Sequence, residues 1–240
     1  MAIDAQARLL LAWNEHINLT SLRRPEQIAR DHVLDSLAAL PLLRSLAARA
    51  GRSGGSRPTV LDLGSGAGYP GLPIAVALPA RACALVESVR KKAAFLDAAA
   101  RAAMAAMTGM DGPPTRISAL PERAEDLADE PDQRAGWDLV LARAVGSLAE
   151  VVELGLPLLA VDGHLVMWKA DADGGLAAEL SAAGRVLHAT GGSRPRVERP
   201  DPTGRLGFPD HRLVAVRKLR PTPDRFPRPP AERRRASLLT

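Results

Sequence analysis

The residues that could do chemistry centre on a glycine-rich stretch after the apolar run 59–63. Gly66, Gly68 and Gly71 match the spacing G-x-G-x-x-G, which marks dinucleotide binding when it joins a strand to a helix. Glycine suits such a turn because it reaches positive φ and lets the backbone approach a ligand closely. The pattern predicts a ligand-binding turn, and the ligand is a dinucleotide or another compound.

Three residues around the turn argue against a dinucleotide. A pyrophosphate is bound by free backbone N–H groups at the start of a helix, and Pro70 and Pro73 remove two of these groups. The carboxylate of Asp62 would repel a diphosphate, whereas it suits an ammonium or a sulfonium. Framed instead from Asp62 to Gly68, the stretch DLGSGAG is similar to the first motif of Rossmann-like methyltransferases that use S-adenosylmethionine.

An acidic residue is expected at the end of the second strand, where it accepts hydrogen bonds from ribose hydroxyls. Glu87 closes the run ACALVE, 23 residues after Gly64. This acid serves both kinds of cofactor, so it supports nucleotide binding without distinguishing them. Combined with Asp62 and the two prolines, the spacing favours S-adenosylmethionine.

The end of the fourth predicted strand, LARAV, bears on which atom accepts a methyl group. It lacks the proline and acid common in enzymes that methylate exocyclic amines. Cys83, the only cysteine, lies in an apolar strand, so we predict a core residue and not a nucleophile. A ring nitrogen such as guanine N7 needs only orientation. Arg143 and Lys169 are substrate-orienting candidates, with ordinary ion pairs as the alternative, and no catalytic residue is assigned.

Short apolar strands alternate with helical segments, which predicts an α/β fold with a mostly parallel sheet. The predicted strands are residues 59–63, 82–87, 115–118, 137–142 and 163–169, and an antiparallel hairpin of 185–189 with 211–216 closes one edge. The predicted fold class is therefore a Rossmann-like S-adenosylmethionine-dependent methyltransferase sheet with an N-terminal helical extension.

Four regions are predicted along the 240 residues. Residues 1–50 form helices that pack on the core, 51–58 a linker, 59–219 the Rossmann-like core, and 220–240 a basic tail rich in Pro and Arg. Eight Arg or Lys residues against two acids lie between Arg217 and Arg235, so the net charge of +5 is concentrated there. We expect this tail to be extended or disordered until it binds a phosphate-bearing partner, and a solvated tail without a partner is the alternative.

The composition also indicates the cellular compartment of the protein. The sequence has no apolar run of eighteen residues and no cationic start leading into an apolar segment, so we expect a cytoplasmic protein that neither crosses a membrane nor is exported.

Several stretches together resemble the bacterial RsmG (GidB) family of 16S rRNA guanine-N7 methyltransferases. They are WNEHINLTSL, RDHVLDSL, VLDLGSGAGYPGLPIA, RAEDL, LARAVGSL and RFPRPPAERRR. The resemblance covers nearly the whole chain. It implies transfer of a methyl group from S-adenosylmethionine to N7 of one guanine in 16S rRNA, with bare rRNA or the 30S subunit as partner. We expect a monomer without a metal or a membrane contact.

The expected cofactor site combines the residue pattern with positions carried over from the family. Its members are Asp62, Gly64, Gly66, Gly68, Tyr69, Glu87, Ser88, Val89, Ala124, Glu125 and Arg143. Tyr69 is also a candidate for stacking on a base. A polar N-terminal signature has two open interpretations, namely docking of the helices over the cofactor cleft with RNA contact, or capping and helix–helix hydrogen bonds. Its members are Asn14, Asn18, Thr20, His32, Asp35 and Ser36.

Two other functions remain open from the residues alone. One is methylation of a small molecule by the same fold, against which the cationic tail and the N-terminal helices argue. The other is an NAD-binding oxidoreductase or a non-catalytic nucleotide sensor, against which Asp62, Pro70 and Pro73 argue.

Overall fold

A computed structural model describes residues 2–50, 57–108 and 113–234 of the chain. It divides into two compact units, Met1–Arg123 and Ala124–Thr240. Most of the predicted linker (51–56) and the last six residues of the predicted tail (235–240) lie outside the described residues. The predicted domain boundaries stay a prediction.

The first unit contains three strands and six α-helices among its described residues. Its N-terminal helices are α1 (Ala2–Asn14), α2 (Pro25–Gln27), a π-helical segment (Ile28–Leu34), α3 (Asp35–Leu37) and α4 (Leu40–Ala50). They are followed by β1 (Thr59–Leu63), α5 (Gly71–Ala77), β2 (Ala82–Val86), α6 (Arg90–Met107) and β3 (Arg116–Leu120).

The three strands of the first unit are parallel, with β2 between β1 and β3. In register, Leu61 pairs with Ala84, and Ala84 pairs with Ser118. Every residue of β1 is buried, as expected for a parallel strand with both faces covered. Helix α1 packs on α6, where the rings of Trp13 and Phe95 meet edge to face at 5.8 Å.

The second unit contains four strands and five helices among its described residues. They are α7 (Ala124–Asp129), β4 (Trp137–Arg143), α8 (Leu148–Leu158), β5 (Leu159–Ala170), α9 (Leu176–Ala182), α10 (Gly184–Thr190), β6 (Arg196–Glu198), β7 (His211–Arg217) and α11 (Pro230–Arg234). Strand β5 is parallel to β4 and antiparallel to β7, and β7 is antiparallel to β6. The predicted fold class, a mostly parallel α/β arrangement with an antiparallel hairpin, is confirmed.

One strand of the predicted hairpin is wrong. Residues 185–189 belong to helix α10, and the partner of β7 is the later segment Arg196–Glu198. Within α10, Val186, Leu187 and Thr190 are buried at helical spacing, and Gly191 ends the helix with φ 86°. The periodicity of a short apolar run fits a strand and a helix equally well. The flanking Gly191 indicates a helix, because glycine commonly follows the last residue of a helix.

The expectation of an extended or disordered tail is wrong for residues 220–234. The guanidinium of Arg134 donates to the backbone oxygens of Thr222, Pro223 and Phe226 at 3.0 to 3.3 Å. The ring of Phe226 is buried, with 2% of its surface exposed. This part of the tail is therefore folded against its own unit.

Two arginines of the tail also pair with acids of the same unit. Arg228 holds both carboxylate oxygens of the buried Glu153, at 2.8 and 2.7 Å, and Arg233 pairs with Glu125. Bidentate pairs of this kind fix geometry as well as charge. Part of the positive charge of the tail is thus paired inside the fold.

No helix within residues 2–50, 57–108 and 113–234 has the length and apolar character needed to cross a membrane.

Candidate cofactor site

The glycine turn leaves β1 in a conformation that only glycine adopts readily. Gly64, Gly66 and Gly68 have φ values of 68°, 55° and 89°. Ser65 fixes the turn, because its N–H donates to Val86 O at 2.8 Å and its hydroxyl donates to the Asp62 backbone oxygen at 3.0 Å. The turn is thereby held between the ends of β1 and β2.

The glycines of the turn differ in the space around them. A Cβ on Gly68 would lie 2.5 Å from Leu72 Cδ1, and one on Gly71 would lie 2.5 Å from Leu85 Cδ2. A Cβ on Gly66 would meet only Gly64 O, at 3.9 Å. Packing therefore requires glycine at positions 68 and 71, whereas Gly66 has an open backbone face among the described residues.

Glu87 connects the turn to the loop after β2. One of its carboxylate oxygens accepts from Gly66 N at 3.2 Å and the other from Val89 N at 2.8 Å. The residue is buried, while Ser88 and Val89 beside it are exposed. Each carboxylate oxygen has more than one lone pair, so both can also accept a ribose hydroxyl. Four of the predicted cofactor residues thus lie together.

Asp62 is buried and organises the start of α5. Its Oδ2 accepts from Gly71 N at 2.9 Å, so this carboxylate caps the turn that leads into the helix. Leu72 N donates to Gly68 O at 2.9 Å, and Pro73 has no N–H. Positions 71, 72 and 73 in the first turn of α5 therefore offer no free N–H group to an anion. This argues against a pyrophosphate ligand. A direct contact of Asp62 with a ligand stays a prediction.

Cys83 is a core residue, as predicted. It is fully buried in β2, and its Sγ lies 3.8 Å from Gly71 O. Burial, and after it the charge of Asp62, raise the pKa of the Cys83 thiol well above its usual range. A thiol in this state is a poor nucleophile.

Tyr69, at the end of the glycine turn, stacks on His32. The ring centroids are 4.6 Å apart with an interplanar angle of 25°, and Tyr69 is 4% exposed. His32 Nε2 lies 2.8 Å from Thr20 Oγ1, within hydrogen-bonding distance. The predicted stacking of Tyr69 on a base stays a prediction, and the partner described by the structure is the imidazole.

Asn14 organises the loop that carries Thr20. Its Oδ1 accepts from Leu19 N and Thr20 N, and its Nδ2 donates to Thr20 O and Leu22 O. Three other members of the polar signature lie nearby in the chain: Ser36 donates to His32 O at 2.6 Å, Asp35 is buried, and Asn18 is exposed. Four members, Asn14, Thr20, His32 and Ser36, are linked by hydrogen bonds or hydrogen-bonding contacts, and contact of the signature with RNA stays a prediction.

Gln6 is a residue of the site that the sequence reasoning missed. It is 1% exposed, and its Nε2 donates to Ala67 O in the glycine turn at 3.2 Å. Gln6, Leu10 and Asn14 are spaced by four residues and all are buried. That spacing on one face of α1 is the signal that could have identified Gln6.

The remaining predicted residues lie in the second unit. Ala124 and Glu125 begin α7, and Arg143 is the half-buried last residue of β4. Lys169 Nζ pairs with Glu179 at 2.6 Å, the kind of ion pair that the sequence left as an alternative. Burial would raise the pKa of Glu179, but hydrogen bonds from Lys169 and the Leu148 N–H lower it overall. Substrate contacts of Arg143 and Lys169 stay predictions.

Within the described residues, no three or more His, Cys, Asp or Glu side chains are placed to hold a metal ion.

Comparison with known proteins gives one family. The family model described as rRNA small subunit methyltransferase G (GidB) matches residues 2–191. The ribosomal RNA small subunit methyltransferase G of Moorella thermoacetica is 35% identical over 95% of this chain and 85% of that protein. The protein of the same name from Deinococcus radiodurans is 38% identical over 92% of this chain and 78% of that protein.

Solved structures with low sequence identity share the fold. A branched-chain polyamine synthase from Thermus thermophilus aligns with a TM-score of 0.56 at 16% identity, over 91% of this chain and 64% of that one. A point mutant of MtNAS in complex with S-adenosylmethionine aligns with a TM-score of 0.50 at 16% identity, over 91% of this chain and 75% of that one. Identities this low carry information on the fold alone.

Proposed function

This chain belongs to the rRNA small subunit methyltransferase G family, and on that premise we propose that it transfers the methyl group of S-adenosylmethionine to N7 of a guanine in 16S rRNA. The observation that carries the cofactor assignment is the joined pair of Gly66 and Glu87. An open backbone face and a carboxylate for ribose hydroxyls lie side by side there.

The residues around the turn fit S-adenosylmethionine better than a dinucleotide. The N–H groups of Gly71 and Leu72 are already bonded within the protein, and Pro73 has none, so a diphosphate lacks donors at the start of α5. Glu87, with Ser88 and Val89 after it, would hold the nucleoside end, and the turn around Gly66 would hold the methionine end. When bound, the cofactor supplies a methyl group on a positively charged sulfur.

The chemistry asked of the protein is then mainly orientation. Guanine N7 carries a free lone pair, so its attack on the methyl group needs no general base, and rate enhancement comes from in-line placement. The buried Cys83, with its raised pKa, is unsuited to a route through a protein thiolate. Arg143 and Lys169 are our candidates for orienting the guanine.

The proposed partner is 16S rRNA or the 30S subunit, met by a cytoplasmic monomer. Two positive charges of the tail are neutralised within the protein, because Arg228 pairs with Glu153 and Arg233 pairs with Glu125. Arg220 and Arg225 remain exposed, and we propose that they supply the tail's attraction to phosphate. Each phosphate contact adds about 0.7–0.9 to the slope of log affinity against log salt.

Incubation with S-adenosylmethionine labelled in its methyl group tests the proposal. Naked 16S rRNA, assembled 30S subunits and tRNA are supplied in separate reactions, and label is expected in one or both forms of the 16S rRNA. Strand scission that is specific for N7-methylguanine then shows whether the label lies on N7. Label found only in small molecules, or in none of the RNAs, would contradict the assignment.

The tail is tested separately by the salt dependence of RNA binding. Deletion of residues 220–240 is expected to weaken binding and flatten the slope, but it also removes the buried Phe226. The Arg220→Ala and Arg225→Ala double variant removes charge without that loss and is expected to lower the slope by about 1 to 2. A slope equal to that of the unaltered chain would argue against this role of the tail.

A further inference from the structure

A continuous line of contacts runs from the glycine turn to an exposed loop of the first unit. Tyr69 follows the turn and its N–H donates to Ser65 O at 3.2 Å. Its ring stacks on His32 at 4.6 Å, and His32 Nε2 lies 2.8 Å from Thr20 Oγ1. Thr20 belongs to the loop of residues 15–24, which we call the signature loop. One imidazole therefore contacts both the cofactor turn and this loop.

The signature loop is rigid enough to transmit a displacement. Asn14 bonds four backbone groups of the loop at 2.9 to 3.3 Å. Arg23 donates to Asn14 O at 2.6 Å, and Leu22 N donates to Thr20 Oγ1 at 3.2 Å. The same hydroxyl thus joins the loop's own backbone to His32. A shift of the loop moves Thr20 as a part of this bonded set.

The outer surface of the signature loop is polar and carries two exposed arginines beside the exposed Glu15. An open depression on the first unit is lined by Asn18, Leu19, Thr20, Ser21 and Arg23. Most of these residues are polar, and Asn18, Ser21 and Arg23 are exposed, as is the following Arg24. Amide, hydroxyl and guanidinium groups are the usual donors to phosphate, sugar and base edges. This surface fits RNA better than an apolar partner.

We propose that His32 is a positioning residue that couples RNA bound on the signature loop to cofactor bound on the glycine turn. The proposal rests on the proposed function, since it takes the substrate to be RNA. His32 touches neither ligand. It acts through Tyr69 on one side and Thr20 on the other. RNA bound to the signature loop therefore stabilises the position of Tyr69 and the conformation of the glycine turn. Cofactor bound to the turn in the same way stabilises the loop conformation that binds RNA.

Such a coupling is reciprocal and measurable as a ratio of affinities. The dissociation constant of S-adenosylhomocysteine, the demethylated cofactor, is measured by calorimetry with and without a saturating amount of the RNA that is methylated. Coupling between two sites usually amounts to about 5- to 150-fold, and we expect the wild-type ratio to exceed about 5-fold.

Two variants interrupt the line at different contacts. Thr20→Val removes the hydroxyl that meets His32 while keeping a side chain of similar shape. His32→Gln removes the ring that stacks on Tyr69 while keeping a polar side chain. Each is expected to bring the ratio to within about twofold of 1, and His32→Gln is also expected to weaken cofactor binding about 3- to 10-fold without RNA. Thr108→Val is the matched control, because its hydroxyl lies at the end of α6, away from this line of contacts, and donates to Met104 O at 3.4 Å.

Thermal unfolding of each variant separates a lost coupling from a lost fold. The proposal is overturned if the wild-type ratio is close to 1, or if Thr20→Val and His32→Gln both keep the wild-type ratio while folded. If the protein methylates 16S rRNA but its cofactor affinity does not depend on RNA, this proposal is wrong and the proposed function stands. If the protein methylates no RNA, both this proposal and the proposed function are wrong.

Discussion

Replacing Gly66 with alanine adds one methyl group at the open face of the glycine turn. The new Cβ would meet only Gly64 O, at 3.9 Å, so packing in the free protein costs little. The backbone cost arises from the φ of 55°, which is about 1–2 kcal/mol for a residue with a Cβ. For a chain of this size that lowers the unfolding midpoint by about 2–8 °C.

Gly174→Ala is the matched control. Gly174 has φ 76°, and no atom of the described residues lies within 4 Å of an added Cβ, so it carries the same backbone cost at an exposed bend of the second unit. Both variants are expected to show similar losses in thermal unfolding. Cofactor affinity should separate them, since only the methyl group at position 66 covers the proposed binding face.

Calorimetric titration with S-adenosylhomocysteine reads out the difference. We expect Gly66→Ala to bind at least about tenfold more weakly than wild type, a loss of about 1.4 kcal/mol, and Gly174→Ala to bind as wild type does. Wild-type affinity in a folded Gly66→Ala protein would refute the reasoning, because the open face would then not be where the cofactor lies.

Three further predictions concern buried groups. Glu153→Gln is expected to lower the free energy of unfolding by about 3–5 kcal/mol, because it leaves Arg228 without its buried anion. Arg217→Ala breaks an exposed ion pair and should lower it by at most about 1 kcal/mol. Equal midpoints of the two variants in urea unfolding would contradict this. Burial, with a smaller contribution from Arg134, lowers the pKa of Lys218 to about 8. The unfolded chain then binds more protons between about pH 8 and pH 10.5, so stability rises across that window, and Lys218→Met should lack this rise in pH-dependent unfolding; a parallel pH profile for the two proteins would count against it. Cys83 should react with a thiol reagent only when the chain unfolds, because it is buried and its pKa is raised; labelling of the native protein at the rate of a free thiol would show otherwise.

The sequence predicts those parts of the fold and site that depend on local pattern. Five strands follow from short apolar runs between helical segments, and the place of Glu87 follows from its distance to the glycine turn. The burial of Cys83 follows from its apolar neighbours. In each case the deciding information lies within a few residues, or in one fixed spacing, so no tertiary contact has to be known.

The sequence is less informative where a distant partner decides the outcome. The composition of the tail indicates disorder, but Glu153 and Arg134 fold it, and they lie 75 and 92 residues before Arg228 and Phe226. The contact of His32 with Tyr69 joins residues 37 positions apart. The four-residue spacing of Gln6, Leu10 and Asn14 indicates that Gln6 lies on the buried face of α1, but it does not indicate that the Gln6 carboxamide donates to Ala67 O. None of these pairings has a local signal.

The contacts that Glu153 and Arg134 make with the tail also set an order of events during synthesis. Glu153 and Arg134 leave the ribosome well before their partners do, since Arg228 follows Glu153 by 75 residues. At a synthesis rate of about 5–20 residues per second, the interval between Glu153 and Arg228 is roughly 4 to 15 seconds. During that interval, burying Glu153 costs free energy that no partner offsets. The residues of the first unit, in contrast, have all been made by Arg123. The unit that carries the glycine turn can therefore form while the unit that needs these tail contacts is still being translated.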